Sequence, residues 1–236
     1  MSQRSRPQNL ADSVYSQLKA ELFEFRLLPG DRFTEAEIAD RTGASRTPVR
    51  QALYKLQREG FLDVNFRNGW EVRPLDFAQI DALYELRILL EQASVHRMSD
   101  LDAHQLSDFL LPLEFRWCVR PKERSTDASE VAMWDEEFHC GLVAASRNKE
   151  FARVHLELTE KIRIVRRLGF TGNSRITATY EEHSAILASI RARRFSAAEK
   201  QLGLHIEVSR NGARKITLLR LQNARTSPQI AAPGTQ

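Results

Sequence analysis

The chain contains little of what marks membrane proteins and disulfide-bonded proteins. It has two cysteines, Cys118 and Cys140, and no Cys-x-x-Cys pair, which excludes a disulfide framework and a cysteine zinc site. No run of about 18 apolar residues is present to cross a bilayer, and the N-terminal MSQRSRPQNL lacks the apolar core of a signal peptide. We therefore expect a cytoplasmic protein that has no membrane partner.

Length and composition indicate a globular protein with two parts. At 236 residues the chain exceeds one typical domain, and its 42% hydrophobic and 28% charged content is ordinary for a soluble protein. The formal net charge of +4 suits a polyanionic partner, but an excess this small does not identify one.

Residues 30–73 carry the signals of a helix-turn-helix followed by a β-hairpin. Thr34 and Glu37 form a capping box that begins one helix, and Gly43 can end it in the left-handed conformation. A second helix follows a tight turn and stops at Gly60. The stripe of Val49, Leu53 and Leu56 must face inward on that second helix.

Polar residues gather at the start of the second helix, where they can reach outward: Ser45, Arg46, Thr47 and Arg50. In helix-turn-helix proteins this end of the helix meets base edges, and arginine can donate two parallel hydrogen bonds to guanine. Each arginine alone would fit a solvated surface equally well. The order of all these signals nevertheless predicts binding to double-stranded DNA.

A β-hairpin is predicted after Gly60. Phe61–Phe66 and Trp70–Val72 flank Asn68-Gly69, a dipeptide suited to a two-residue type I′ turn. The hairpin would form a wing that places Arg67 and Asn68 beside DNA phosphates.

Residues 10–73 resemble the winged helix of the GntR family of bacterial transcription regulators. The shared pattern includes Glu37-Ile38-Ala39, Ser45-Arg46-Thr47-Pro48-Val49-Arg50 and Glu59-Gly60. The resemblance implies that Arg46, Thr47, Arg50 and Gly69 contact operator DNA. Ala36 stands where some members carry an arginine, so the base sequence that is read stays open.

The sequence as a whole predicts a mainly α protein. The N-terminal winged helix-turn-helix is followed by an all-α helical bundle. After the linker Arg73-Pro74-Leu75, Asp76 can cap the first of six helices. We expect a flexible arm at 1–9, a DNA-binding domain at 10–74, an effector and dimerisation domain at 75–221, and a disordered tail at 222–236. The helices are expected near 77–98, 101–118 (interrupted or kinked at Pro112), 128–147, 149–168, 175–193 and 197–219.

Four polar residues follow the apolar stripes of three of these helices: Asp135, His139, His183 and His205. A buried carboxylate and buried imidazoles need partners, and a divalent cation such as zinc or nickel would satisfy all four. An octahedral ion would keep two positions for a carboxylate effector. Separately hydrogen-bonded core histidines are the alternative.

Residues 77–219 resemble the FCD effector domain of the FadR-type branch, through Trp134–His139, Asn148, Glu182–Ile186 and the spacing to His205. The resemblance implies that Asp135, His139, His183 and His205 hold a metal beneath a ligand cavity. Arg87 matches an arginine that can face this cavity, although an intrahelical pair with Glu91 is an equal alternative. Six helices favour the VanR-like subgroup, and hence a small organic acid.

Other residues receive ordinary interpretations. His96, His104 and His155 are expected at the surface or in hydrogen bonds, and Cys140 is expected to be a small buried hydrophobe. The basic run 161–167 is expected to be a solvated helix face, and neither Glu181 nor Glu182 is expected to be catalytic.

These features together predict a homodimeric transcription regulator. One winged helix reads few base pairs, so a dimer on a pseudo-palindromic operator is expected. We expect a repressor whose operator affinity is controlled by a small carboxylate at the metal. The alternatives are a metal-dependent hydrolase or oxygenase with an appended winged helix, and a regulator with a purely structural metal.

Overall fold

The computed structural model describes residues 10–65, 69–170 and 173–226. The predicted arm at 1–9, the wing residues Arg67 and Asn68, and the tail from 227 lie outside the described residues. The chain divides into two compact units, of which one comprises Met1–Leu75 with Leu218–Gln236 and the other comprises Asp76–Thr217.

The first unit contains the helix-turn-helix and a small sheet. Its elements are α1 (Leu10–Phe23), β1 (Arg32–Phe33), α2 (Glu35–Thr42), α3 (Arg46–Arg58), β2 (Leu62–Asn65) and β3 (Gly69–Val72). The strands are antiparallel in the order β1-β3-β2. Helix α1 packs on α3 and buries Val14, Leu18 and Leu22, whereas Leu10 at its start is exposed.

Local capping signals set the helix boundaries here. Thr34 and Glu37 form the predicted capping box at the start of α2, and Gly43 ends that helix with φ +64°. Ser45 occupies the N-cap position of α3, but its side chain makes no capping hydrogen bond. Gly60 follows α3 with φ +81°.

The strand pairing in the wing differs from that expected for the predicted two-residue turn. Asn65 pairs with Gly69, so the prediction that Gly69 lies in the turn is wrong, and Asn68 lies outside the described residues. Gly69 belongs to β3 and has φ +85°, and a Cβ there would lie 2.6 Å from the Phe33 carbonyl oxygen. Glycine is therefore required because β3 also pairs closely with β1, a strand that the sequence analysis missed.

The second unit consists of the six predicted helices. They are α4 (Phe77–Arg97), α5 (Ala103–Trp117), α6 (Ala128–Ala145), α7 (Lys149–Leu168), α8 (Asn173–Arg191) and α9 (Phe195–Thr226), the last of which extends past the unit boundary. Pro112 lies inside α5 without interrupting it. Helix α9 continues to Thr226, so the prediction of disorder is wrong for residues 222–226.

Helix packing brings the inward faces of the second unit together. Helix α4 packs against α6 and α7, α5 packs against α8, and α6 also contacts α7 and α8. Asp76 caps α4 by accepting hydrogen bonds from the backbone of Ala78 and Gln79, as predicted. Among the described residues, none of the helices combines the length and apolar content needed to cross a bilayer.

Candidate metal centre and DNA-binding surface

Four buried residues from three helices meet inside the second unit. Asp135 and His139 lie one turn apart on α6, His183 lies on α8 and His205 lies on α9. One potential ligand atom from each residue lies within 4.8 Å of the others. The structure thus brings together the four residues that the sequence singled out.

The separations within this cluster suit a single metal ion. The Nε2 atom of His205 lies 3.2 Å from that of His139 and 3.3 Å from that of His183. The Oδ1 atom of Asp135 lies 3.3–3.8 Å from the three Nε2 atoms. Ligand atoms about 2.1 Å from a tetrahedral zinc lie about 3.4 Å apart, so the donors are already close to the required spacing.

Two carboxylates fix the orientation of the His139 and His205 imidazoles. His139 Nδ1 lies 2.5 Å from Glu91 Oε2, and His205 Nδ1 lies 2.5 Å from Glu182 Oε2. An ionised carboxylate only accepts, so each Nδ1 donates and each Nε2 keeps its lone pair toward the cluster centre. Converging lone pairs beside the Asp135 oxygen repel one another, and a cation at the centre would remove this repulsion.

Burial sets the protonation states that a metal requires. Desolvation lowers the pKa of His183 well below its usual value and lowers the pKa of His205 to about 4. Burial would raise the pKa of Asp135, but contacts with His139 and Arg166 hold that pKa well below its usual value. At neutral pH the site therefore offers His183 and His205 as neutral imidazoles and Asp135 as an ionised carboxylate, which are the forms that bind metals.

Glu91 is the centre of a second buried network next to the metal cluster. It accepts hydrogen bonds from Arg87 Nε at 2.7 Å, His139 Nδ1 at 2.5 Å and His155 Nε2 at 2.9 Å. The pair of Arg87 with Glu91 within one helix, which was the alternative to a cavity-facing Arg87, is therefore present in the structure. Arg87 Nη2, however, has no partner among the described residues and stays available to a ligand.

The sequence analysis missed several residues around the ligands. Arg166 was placed on a solvated face, but it is buried and its Nη2 donates to Asp135 Oδ2 at 2.7 Å. Glu182, which was considered only as a catalytic residue, orients His205. The spacing of His155, Thr159, Ile162 and Arg166 along one helix face was the signal that could have placed Arg166 inside.

The remaining residues with ordinary interpretations divide between surface and interior. His96 and His104 are exposed, as expected. His155 is buried and forms a hydrogen bond with Glu91. Cys140 is partly buried with its Sγ 3.8 Å from His155 Nδ1, outside the metal cluster.

The polar residues at the start of α3 form an exposed surface: Ser45, Arg46, Thr47 and Arg50. Arg50 is engaged there with Glu35, through Nε to Oε1 at 2.8 Å and Nη2 to Oε2 at 2.7 Å. The Arg50 side chain is still 59% exposed. Exposed ion pairs contribute little to stability, so DNA can displace this one.

Comparison with known proteins agrees with this architecture. Residues 10–72 match the family described as "Bacterial regulatory proteins, gntR family", and residues 82–208 match the FCD domain. The uncharacterized HTH-type transcriptional regulator YdhC of Bacillus subtilis is 29% identical, over 81% of this chain and 85% of its own length. The Nta operon transcriptional regulator of Aminobacter aminovorans is 32% identical, over 78% of this chain and 84% of its own length.

A solved structure shares the fold. The Lar protein of Listeria monocytogenes superposes with a TM-score of 0.65 at 16% identity, over 89% of this chain and 99% of that one. The matched families and the named relatives identify a regulator and not an enzyme, which sets aside the hydrolase or oxygenase alternative. The chain belongs to the gntR family of bacterial regulatory proteins and is a DNA-binding transcription regulator with an FCD domain.

Proposed function

We propose that this regulator represses transcription from a pseudo-palindromic operator as a homodimer, and that a small carboxylate bound at a divalent metal releases it. The observation that carries the proposal is the buried cluster of three imidazoles and one carboxylate with its donor atoms turned inward. Such an arrangement is unfavourable without a cation, and it lies in the domain that does not read DNA.

Operator recognition is proposed for the exposed start of α3. Arg46 and Arg50 would donate to base edges, Ser45 and Thr47 would contact the backbone or bases, and Gly69 would lie at the base of the wing. Arg67 and Asn68 are proposed to approach phosphates at the wing tip. Two copies are needed because a single winged helix reads too few base pairs for useful specificity.

The donor set narrows the choice of metal. Three imidazole nitrogens and one carboxylate oxygen suit zinc or nickel, and affinity for such a site overlaps among first-row ions. When bound, the ion would supply a positive charge, and only an ion with more than four coordination positions would also have a place to which a carboxylate can attach. Arg87 is proposed to hold the same effector through its free Nη2.

Effector binding can change the conformation of the helical domain because the metal ligands lie on different helices. Because Asp135, His183 and His205 come from α6, α8 and α9, any ligand that alters the cluster also changes the relative placement of these helices. An effector changes operator affinity only if it binds the DNA-bound and DNA-free arrangements unequally.

His183→Ala tests the metal sensor most cleanly. His183 Nδ1 has no partner among the described residues. Its substitution therefore does not remove a hydrogen-bond donor from Glu91 or Glu182. We expect loss of stoichiometric zinc, retained operator binding, and loss of any response of operator binding to a panel of small carboxylates. Elemental analysis and fluorescence anisotropy measure these quantities.

His104→Ala, at an exposed position, is the control and should retain both metal and response. Global unfolding of His183→Ala would favour a purely structural metal. Full zinc content in that variant would contradict the proposed ligand set.

Glu35→Gln tests the role of the ion pair on the DNA-binding surface. The carboxylate competes with DNA for Arg50 and adds a negative charge near phosphates. We expect affinity for non-specific DNA to rise by up to about fivefold, because the pair that is lost is exposed and weak. The slope of log affinity against log salt should steepen by about one counterion.

Asp40→Asn removes the same charge from an exposed position of the same helix and serves as the control. A weaker affinity in Glu35→Gln than in this control would mean that the carboxylate orients Arg50 for DNA and does not compete with it.

A further inference from the structure

Four buried side chains between α4 and α7 each carry a polar atom that has no partner among the described residues. The atoms are Tyr84 Oη, Arg87 Nη2, Thr159 Oγ1 and Arg166 Nη1, and we call these residues the polar quartet. Their exposed fractions are between 0% and 4%. Buried polar atoms in folded proteins are nearly always paired, so four unpaired atoms in one region point to a missing ligand.

Three members of the polar quartet, Tyr84, Arg87 and Arg166, are close together. Tyr84 and Arg87 lie one turn apart on α4, and the Arg87 guanidinium carbon is 5.7 Å from the Tyr84 ring centre. Thr159 and Arg166 share one buried face of α7, the helix that packs on α4. Burial raises the pKa of Tyr84 while the charges of Arg87 and Arg166 act to lower it, so both guanidinium groups lie near the phenol.

Both guanidinium groups are already held in place on one side. Arg87 donates through Nε to Glu91, and Arg166 donates through Nη2 to Asp135. The free nitrogens are therefore fixed in orientation before any ligand arrives. Two fixed guanidinium donors and two hydroxyl groups are the donor set that a carboxylate accepts from.

The buried charges indicate how many negative charges the site needs. Glu91 and Asp135 balance Arg87 and Arg166, and imidazoles that bind a metal are neutral. A divalent cation adds two positive charges to this balanced interior. Buried uncompensated charge is unfavourable, and a monocarboxylate would neutralise only half of the excess.

We propose that the polar quartet is a second anion subsite beside the metal, and that the effector is a small dicarboxylate. One carboxylate binds the metal, and the other accepts hydrogen bonds from Arg87, Arg166, Tyr84 and Thr159. The inference rests on the proposed function for the first carboxylate. It adds the requirement that the effector itself carries a second negative charge.

Isosteric variants test the subsite without disturbing its shape. Tyr84→Phe and Thr159→Val each remove one unpaired oxygen, so the Tm of the zinc-loaded, ligand-free protein should stay unchanged or rise. Tyr180→Phe and Thr217→Val are matched controls, because these hydroxyls are hydrogen-bonded to Ser125 N and Ala213 O. The controls should lower the Tm. A fall in Tm for Tyr84→Phe as large as for Tyr180→Phe would overturn the subsite.

Carbon-matched acids test the two charges. Zinc-loaded full-length protein is titrated with malonate, succinate, glutarate and adipate, and with the monocarboxylates of equal carbon number, from propionate to hexanoate. We expect at least one dicarboxylate to bind at least about tenfold more tightly than its partner, as a hydrogen-bonded second charge allows. Tyr84→Phe should reduce this preference about tenfold or more, and Tyr180→Phe should leave it intact.

The two proposals fail in distinguishable ways. A monocarboxylate that releases the operator, with no dicarboxylate bound more tightly than its partner, overturns the second subsite and leaves metal-dependent sensing in place. A dicarboxylate preference that persists in both Tyr84→Phe and Thr159→Val also overturns it. Failure of the sensor itself appears separately, as full zinc content and response in His183→Ala.

Discussion

Glu91→Gln is expected to lower the free energy of unfolding of the metal-free protein by about 3–5 kcal/mol, the range measured when one partner of a buried ion pair is removed. Glu91 is fully buried and accepts hydrogen bonds from Arg87, His139 and His155. Burial would raise its pKa, but His139 and Arg87 hold the pKa well below its usual value, so the carboxylate is ionised. An amide would leave the Arg87 charge buried without a counterion. Urea unfolding followed by circular dichroism measures the loss.

Glu182→Gln is the matched control for this prediction. Glu182 makes the same contact with a ligand histidine, but its side chain is 30% exposed and also pairs with Arg175. Its loss should cost less than about 1 kcal/mol, as for other solvated pairs. The double variant Arg87→Met with Glu91→Gln should recover part of the stability, because no unpaired cation then remains. Equal stability losses in Glu91→Gln and Glu182→Gln would contradict this account of the network.

The helices could be predicted because their signals are local. Thr34 with Glu37, Gly43 and Asp76 act on the backbone within a few residues of themselves, and each is found in its predicted role. The wing could not be predicted in full because its register depends on a partner far away in sequence. Phe33 pairs with Trp70 and brings β1 against Gly69, and nothing near Asn68-Gly69 indicates that contact.

The candidate site divides in the same way. Asp135, His139, His183 and His205 could be found because helical spacing places each of them on an inward face, and the FCD resemblance implies the same set. The carboxylates that orient the histidines were not found, because contacts between helices depend on how each helix is rotated in the bundle. Arg166 was misassigned because it lies in a run of basic residues in which Lys161 and Arg167 are exposed.

Acidification below pH about 6.5, the usual histidine pKa, is expected to destabilise the metal-free protein by about 3 kcal/mol per pH unit, which is the contribution of two histidines. Burial lowers the pKa of His183 well below its usual value and lowers that of His205 to about 4, although Asp135 and Glu182 act in the opposite direction. Between pH about 6.5 and these lowered pKa values, the unfolded chain binds protons that the folded protein does not. Stability is therefore highest above the unfolded pKa and is lost as the pH falls.

The carboxylates extend the same trend to lower pH. Asp135 and Glu91 have lowered pKa values, so their contribution is present above about pH 4 and is lost as they become protonated. Urea unfolding at several values between pH 7.5 and 5 measures the slope. The double variant His183→Ala with His205→Ala should reduce the slope by most of the expected amount, and His104→Ala should not change it, because His104 is exposed. A slope that persists in the double variant would contradict the assignment of neutral, buried imidazoles, and with it the form of the site that binds a metal.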